Sequence, residues 1–496
     1  MFLLTQMAKD HMILDNMNFS FKKTKIVATI GPATESEETL TSLVKAGMNV
    51  TRLNFSHGDH AEHQKRVITI RKVSKNLDIP VAILQDLSGP KIRIGDFGSG
   101  QITLKKDALF TLTTKKISGD ESIAYVNYPN LPKEVKVGNF ILVDDGKKKL
   151  QIIKTSKDEV LTKVIVGGEI KSRRGINLPG SYLKISAITP KDEIDLKFGI
   201  KNKVDFVALS FVREAADVLK LRAMLKAGKS DAHIIAKIET AEAIENLDEI
   251  INAADGIMVA RGDLAIEIPA PDVPLIQKEI IEKCNSVGKP VITATQMLES
   301  MVRSPVPTRA EVSDVANSIL DGSDAVMLSE ETAIGQFPVL AVEMMSQIAG
   351  RVEEKLKSKE FSSNLGQTLQ SVSSVIKDMP DAISYSATRV ATRVGAKAIV
   401  ALTESGFTAR MLSRFKPHEP IIVMTPHERT KTKLALSFGC LPVKIKGFKD
   451  MHDVTKLVSE FVKEKNIAKS GDKVVIVAGM PFGKTGGTNT IMVHTI

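Results

Sequence analysis

The stretch IAKIE at 235–239 ends an apolar run on two charged side chains, Lys237 and Glu239, which fall on one face if the run is a β-strand. The stretch MVARGD at 258–263 repeats the device, and its glycine turn delivers Asp263, 24 residues beyond Glu239. Hard carboxylate oxygens at the ends of two consecutive strands suit a divalent cation such as Mg2+ or Mn2+. An ammonium beside them suits a substrate whose negative charge grows on oxygen as it reacts. Phosphoryl transfer and enolate chemistry on a carboxylate substrate both meet that description.

These groups need strands to carry them. Eight short apolar runs, at 25–30, 50–55, 80–85, 205–210, 233–238, 256–260, 290–294 and 325–328, alternate with amphipathic stretches such as 37–46, 60–76, 215–227 and 273–287. The alternation predicts an α/β chain with a closed (β/α)8 TIM barrel, its strands buried on both faces. About 120 residues separate the third run from the fourth, and 95–186 is rich in alternation and turns, as at 101–104, 109–113, 140–143, 150–154 and 160–166. That composition predicts an inserted all-β lid. Past a charged stretch near 355–370, runs at 398–402, 421–424, 441–445, 473–478 and 491–495 predict a C-terminal α/β domain. The expected organisation is an N-terminal arm at 1–20, a barrel at 21–94 and 187–355, a lid at 95–186 and a last domain at 356–496.

In a TIM barrel the C-terminal strand ends hold the chemistry. Those ends are polar here: Arg52, Asn54, Ser56 and His57; Asp86, Lys91 and Arg93; Lys237 and Glu239; Arg261 and Asp263; Thr295 and Gln296; Ser329 and Glu331. Any one of them alone fits a solvated strand end or a structural ion pair. Their accumulation at one rim does not.

Composition narrows the function classes. The chain has 496 residues, 43% hydrophobic and 25% charged, as expected of a globular protein. No apolar run approaches the roughly 20 residues of a membrane helix, so no membrane partner is expected. Two distant cysteines, Cys284 and Cys440, suit a reducing, cytoplasmic setting. The first residues read as a loose arm without a cleavage site, and Met17 offers an alternative start. The net charge of +10 favours anionic partners, but the charges are dispersed and aromatics make up only 4%, which points to small phosphorylated ligands over nucleic acid. A metal-dependent lyase on the same barrel, or a binder of anionic polymers, are the competing classes; ADP-dependent turnover and salt-sensitive DNA binding would separate them.

Longer motifs go further. KIVATIGPAT at 25–34, RLNFSHG at 52–58, IAKIE at 235–239, ARGDL at 260–264, ATQMLES at 294–300, PTRAE at 307–311 and SDVAN at 313–317 together closely resemble pyruvate kinase, from about Lys25 to the C-terminus. The resemblance implies phosphoryl transfer from phosphoenolpyruvate to ADP, then protonation of the enolate to pyruvate, in a homotetramer. By the same resemblance Glu239 and Asp263 ligate Mg2+ (or Mn2+), and Lys237 carries the phosphoryl group and the enolate oxygen. The backbone amides around Gly262 and Asp263 take the substrate carboxylate, Thr295 also contacts the substrate, and Thr295 with Ser329 serves protonation through water. Arg52 is both catalytic and, with Asn54, His57, Arg93 and Lys191, on the nucleotide-phosphate side. Asn54, Ser56, Asp86 and Leu87 form the monovalent-cation cage.

The chain also departs from the pattern. Potassium-dependent members read Asp-Thr-Lys-Gly-Pro-Glu where this chain reads DLSGPK at 86–91, which places Lys91 near the cage, in place of the ion, and implies that K+ is not required. Ala265 and Glu330 replace usual glycines, where a positive φ would strain them. In the last domain TESGFT at 403–408 resembles the family's phosphate loop for an allosteric effector, with Thr403, Ser405, Gly406 and Thr408 as contacts. Glu404 replaces a lysine found in members activated by a sugar bisphosphate, which favours a phosphorylated effector of lower charge. GMPFGKT at 479–485 is one residue short of a P-loop and reads as a flap over that pocket.

Overall fold

The computed structural model describes residues 22–181, 183–356, 378–447, 450–483 and 487–496. The expected arm at 1–20, most of the separator at 355–370, and Lys484 and Thr485 of the expected flap lie outside the described residues.

Eight parallel strands close a barrel in sequential order: Lys25–Thr29, Val50–Asn54, Ala82–Asp86, Phe206–Leu209, His233–Ile238, Gly256–Ala260, Val291–Ala294 and Ala325–Leu328. Every strand but the second is buried throughout or at all but its first residue, as continuous Val/Ile/Leu/Ala runs demand when helices cover the outside. The third strand begins two residues later than its apolar run suggested and takes in Asp86, because Pro80 cannot donate to a ladder. Local signals start the helices between strands. Ser36 and Asp59 cap Glu37–Ala46 and His60–Leu77, and Thr189 with Asp192, and Thr308 with Glu311, close capping boxes on Pro190–Lys201 and Arg309–Leu320. Ala265 and Glu330 lie inside the short helices Arg261–Glu267 and Glu330–Ala333, a conformation any residue adopts, so neither disturbs its turn.

The lid has its own apolar core, from Ile92 to Leu178. Its main sheet runs Ile176–Asn177, Phe140–Val143, Lys148–Thr155, Glu159–Val166, Leu109–Thr113, Ile123–Tyr125, and Gln101–Leu104 pairs with Gly168–Lys171. The strands at 123–125 and 176–177 are too short to leave a periodicity in the sequence, and Gly168–Lys171, also unexpected, opens on a glycine, a poor strand former. Ile92 and Ile94 already belong to the lid core, and Arg93 pairs with Gly175, so the lid begins at the root of the third strand's loop.

The C-terminal domain is a five-stranded sheet ordered Cys440–Lys444, Ile421–Thr425, Ile399–Leu402, Lys473–Gly479, Thr488–Thr495, the last strand antiparallel. It docks on the end of the barrel opposite the polar rim. Ala435 and Leu436 join the apolar cluster inside the barrel with Val27, Phe206 and Met258, and Lys25 Nζ donates to Cys440 O at 2.8 Å. Arg429 spans to the barrel, pairing with Asp205 at 2.9 Å and Asp231 at 2.8 Å. Leu436 is fully buried, so Leu436→Ala should lower stability by about 2–5 kcal/mol through lost burial and the cavity left behind. A fall in the thermal midpoint, with the barrel transition moving, is the expected calorimetric result.

Candidate active site

Four expected residues from the ends of the second, third and fifth barrel strands form one connected network. Arg52 Nε donates to Asp86 Oδ2 at 2.7 Å, and its Nη1 donates to Thr29 Oγ1 at 3.0 Å. Lys237 Nζ lies 3.4 Å from Asp86 Oδ1 and 2.9 Å from Glu239 Oε1, and donates to Ser210 Oγ at 2.7 Å. All of it is nearly dry, with Asp86 and Glu239 at 1% and 2% exposure. Burial works against the Lys237 ammonium, but the carboxylates of Asp86 and Glu239 outweigh it and hold its pKa above the ordinary lysine value. Burial likewise opposes ionisation of Asp86, and Lys237 and Arg52 overcome it, holding that carboxyl low. Glu239 is held above the usual carboxylate range, by burial first and then by the nearby charge of Asp263, with Lys237 opposing.

Asp263 sits in the first turn of Arg261–Glu267, where carboxylates favour a helix start. Lys91 reaches it, Nζ to Oδ1 at 3.5 Å. Here the geometry differs from the expectation that Lys91 stands by the Asn54, Ser56, Asp86 cage. The cations at Asp86 are Arg52 and Lys237, while Lys91 runs along the lid root, its Cε close to where a Cβ on Gly175 would lie, and so points at Asp263. Within the cage loop, Asn54 Oδ1 accepts the Ser56 N–H at 3.1 Å, and the Leu87 carbonyl accepts from Ser210 Oγ at 2.8 Å.

Thr295 has φ +69° and Gln296 φ +54°, a left-handed conformation that is unusual for a β-branched residue and costs on the order of 1–3 kcal/mol. The twist turns Thr295 Oγ1 toward the Gly262 N–H, which it accepts at 2.8 Å while donating to Ala294 O at 2.6 Å. Arg261 holds the same loop: its guanidinium donates to Ala294 O and Thr295 O and pairs bidentately with Asp314 at 2.7 Å. Glu331, fully buried, accepts N–H groups of Leu298 and Ser329 at 3.1 and 2.7 Å, joining the ends of the seventh and eighth strands. Arg261 and Glu331 thus hold backbone, and the rim's polarity is partly structural.

On the nucleotide side, Lys191 Nζ donates to Phe55 O and to Asp195 Oδ2, both at 2.6 Å, and His60 Nε2 meets the other Asp195 oxygen at 2.7 Å. His57 lends its carbonyl to His63 Nε2 at 3.0 Å. Arg93 is not brought into the network; its guanidinium donates to the Arg173 carbonyl of the lid at 3.1 Å. Ser210, Phe211 and Asp195 are contacts that the sequence reading passed over. Ser210 closes the fourth apolar run, so the strand-end rule that picked out the other ends applied to it as well.

Among the described residues no group of three or more His, Cys, Asp or Glu side chains could hold a metal by itself. Two carboxylates, one buried and raised partly by the charge of the other, nonetheless suit Mg2+, which takes one or two carboxylates and fills its shell with substrate and water oxygens.

The effector-loop candidates lie in the C-terminal domain and are partly committed. Thr403 Oγ1 accepts the Gly406 N–H at 3.0 Å, and Thr408 Oγ1 shares a 2.7 Å hydrogen bond with Thr488. Gly406 has φ +81°, as the turn requires. Glu404 pairs with His427 at 2.6 Å.

Comparison with known proteins agrees with the geometry. The pyruvate kinase barrel-domain model matches residues 21–342 and the pyruvate kinase alpha/beta-domain model matches residues 381–494. The chain belongs to the pyruvate kinase family. A pyruvate kinase from Geobacillus stearothermophilus is 47% identical over 96% of this chain and 80% of its own length. One from Clostridium perfringens is 45% identical over 96% of this chain and its full length. The crystal structure of a pyruvate kinase from Cryptosporidium parvum superposes with a TM-score of 0.89 at 37% identity, covering 96% of both chains. The chain is accordingly a phosphotransferase that moves the phosphoryl group of phosphoenolpyruvate to ADP, giving pyruvate and ATP.

The lid meets the helix that carries Asp263. Asn177 Nδ2 donates to Glu267 Oε1 at 3.2 Å, a Cβ on Gly146 would lie 3.7 Å from Ile266, and a cavity of about 40 Å³ beside them is lined by Lys91, Arg213, Glu242 and Glu267. Burial pushes the Glu267 carboxyl up to about 7, and the charges of Glu242 and Asp263 add to it. In the unfolded chain that carboxyl ionises near 4.5. The folded protein therefore binds the extra proton, and stability should fall as pH rises from about 4.5 to about 7, then level off. Thermal midpoints from pH 5 to pH 8 should show that slope in the native chain and a flatter one in Glu267→Gln.

Proposed function

We propose that the Arg52–Asp86–Lys237–Glu239 network is the reaction centre for this transfer, assisted by Mg2+ or Mn2+ held by Glu239 and Asp263. The observation that carries the reading is that a buried ammonium, a buried carboxylate and a guanidinium converge at the C-terminal rim, beside the helix bearing Asp263. A divalent ion held by Glu239 and Asp263 would supply positive charge to the anionic oxygens of the substrate.

The chain's own groups do the rest. Lys237, ionised throughout the working pH range, follows the phosphoryl group and stabilises charge as it builds on the enolate oxygen. A substrate carboxylate takes over the Gly262 N–H now given to Thr295 Oγ1, and adds the Asp263 amide. The displaced Thr295 hydroxyl, with Ser329, orders the water that protonates the enolate. Arg52 holds the phosphoryl group from the strand side, and Asn54, His57 and Lys191 hold the phosphates of ADP, with Asp195 aiming Lys191. Arg93 joins them from the lid as a second clamp.

Potassium is not required. Three fixed cations, Arg52, Lys237 and Lys91, already face Asp86 and Asp263 and supply the charge that a monovalent ion in the Asn54, Ser56, Asp86, Leu87 cage would add. A phosphorylated metabolite at the Thr403–Thr408 loop activates the enzyme; since Thr403 and Thr408 are tied to Gly406 and Thr488, Ser405 is the hydroxyl most open to it. A cytoplasmic homotetramer fits the family and the two unpaired, buried cysteines.

Pyruvate release should be rapid with Mg2+ and ADP in buffer free of alkali metals, and should rise less than tenfold on adding K+; a hundredfold rise would make Lys91 a bystander. Lys237→Met should lose about 10³-fold in kcat, roughly 4 kcal/mol of transition-state stabilisation. Ser405→Ala should abolish activation by a sugar monophosphate with basal kcat unchanged, measured as the effector-dependent shift in half-saturating phosphoenolpyruvate.

A further inference from the structure

An ammonium has three N–H donors, and Lys237 has three acceptors around it. Two are carboxylates with other claims on them: Asp86 is gripped by Arg52 at 2.7 Å, and Glu239 is a candidate metal ligand. The third is the neutral hydroxyl of Ser210, at 2.7 Å, the shortest of the three contacts. Its own proton goes to Leu87 O at 2.8 Å in preference to Asp86 Oδ1 at 3.4 Å, so a lone pair faces the lysine. Ser210 is 2% exposed.

The next residue explains how strand four reaches both charged partners. Phe211 has φ +53°, and that left-handed twist aims its N–H at Glu239 Oε2, 2.8 Å away. One two-residue elbow thus offers a hydroxyl to the reacting lysine and an amide to the carboxylate beside it. A bulky residue persists in this conformation only where its surroundings over-determine it, which is the mark of a positioning device.

We propose that Ser210 is a positioning residue for Lys237: it keeps the ammonium at the height where the phosphoryl group crosses, while the two carboxylates are drawn toward other cations. The inference rests on the role given to Lys237 above. As substrate and metal arrive, the lysine turns donors away from Asp86 and Glu239, and the Ser210 hydroxyl is the acceptor it keeps. Deleting it leaves a buried N–H unsatisfied and lets the ammonium settle toward a carboxylate.

The test uses the full-length enzyme with Mg2+, comparing Ser210→Ala, Ser210→Thr and Lys237→Met by steady-state kinetics and thermal melting. The expected result for Ser210→Ala is a kcat lower by about 10- to 100-fold, the loss typical of one hydrogen bond to a charged group, with KM for phosphoenolpyruvate and ADP within about twofold. Its melting temperature should stay near the native one, and Ser210→Thr, which retains the hydroxyl, should recover most of the turnover. If the threonine methyl prevents folding beside Gly89, the alanine variant decides alone. A Ser210→Ala enzyme with native kcat, or one with raised KM and unchanged kcat, overturns the proposal. Native turnover in Lys237→Met would instead overturn the reading of the reaction centre on which it stands.

Discussion

A buried ammonium cannot stand alone. Moving Lys237 out of water costs several kcal/mol, and only closely placed opposite charges and acceptors repay it. The organisation of the rim follows from that demand. Asp86 on the third strand, Ser210 after the fourth and Glu239 after the fifth are each brought to Lys237, while Arg52 on the second strand balances the surplus of negative charge. The members come from separate strands, so the barrel must close in register before any of them is satisfied. The same closeness lets the group act, since charges held in a dry site need not reorganise when the substrate's charge shifts.

Catalytic geometry also depends on groups that hold backbone without touching the reaction. Arg261 reads like a site residue by its place next to Gly262 and Asp263, yet its guanidinium is spent on Asp314 and the carbonyls of Ala294 and Thr295. Glu331 binds two backbone amides across strand ends. Arg261 holds the backbone of the left-handed turn at Thr295 and Gln296, and Glu331 ties the ends of the seventh and eighth strands together. At the far end of the barrel, Ala435 and Leu436 fill the bore and Arg429 grips Asp205 and Asp231, so the last domain is part of the barrel's stability.

Much of the fold was legible because its period is coarse. The eight strand runs, the inserted lid and the last α/β sheet all follow from apolar runs and their spacing, and the observed strands fall on the expected runs with ends shifted by at most three residues, the most at Thr488–Thr495. The lid's strands at 123–125 and 176–177 left no trace because two or three residues carry no period. Lys237, Glu239, Asp263, Arg52 and Asp86 were found from strand ends and motifs. Ser210 was not, since a serine closing an apolar run carries no charge to draw attention, and Asp195 was hidden on a helix among other charged residues.

Chain order alone determined which strands exist, in what sequence they close, and which strand ends carry charge, because burial patterns and turn residues are local properties. Which charge meets which was decided only by the tertiary structure. Lys91 shows the difference: its position beside the cage motif is a fact of sequence, but its direction is set by the lid root packed against it, and it faces Asp263. Likewise no local pattern announces that Thr295 would turn left-handed to accept the Gly262 amide, or that Ser210 would sit under Lys237. Pairings of that kind depend on side chains separated by tens of residues, and only a closed barrel brings them within hydrogen-bond reach.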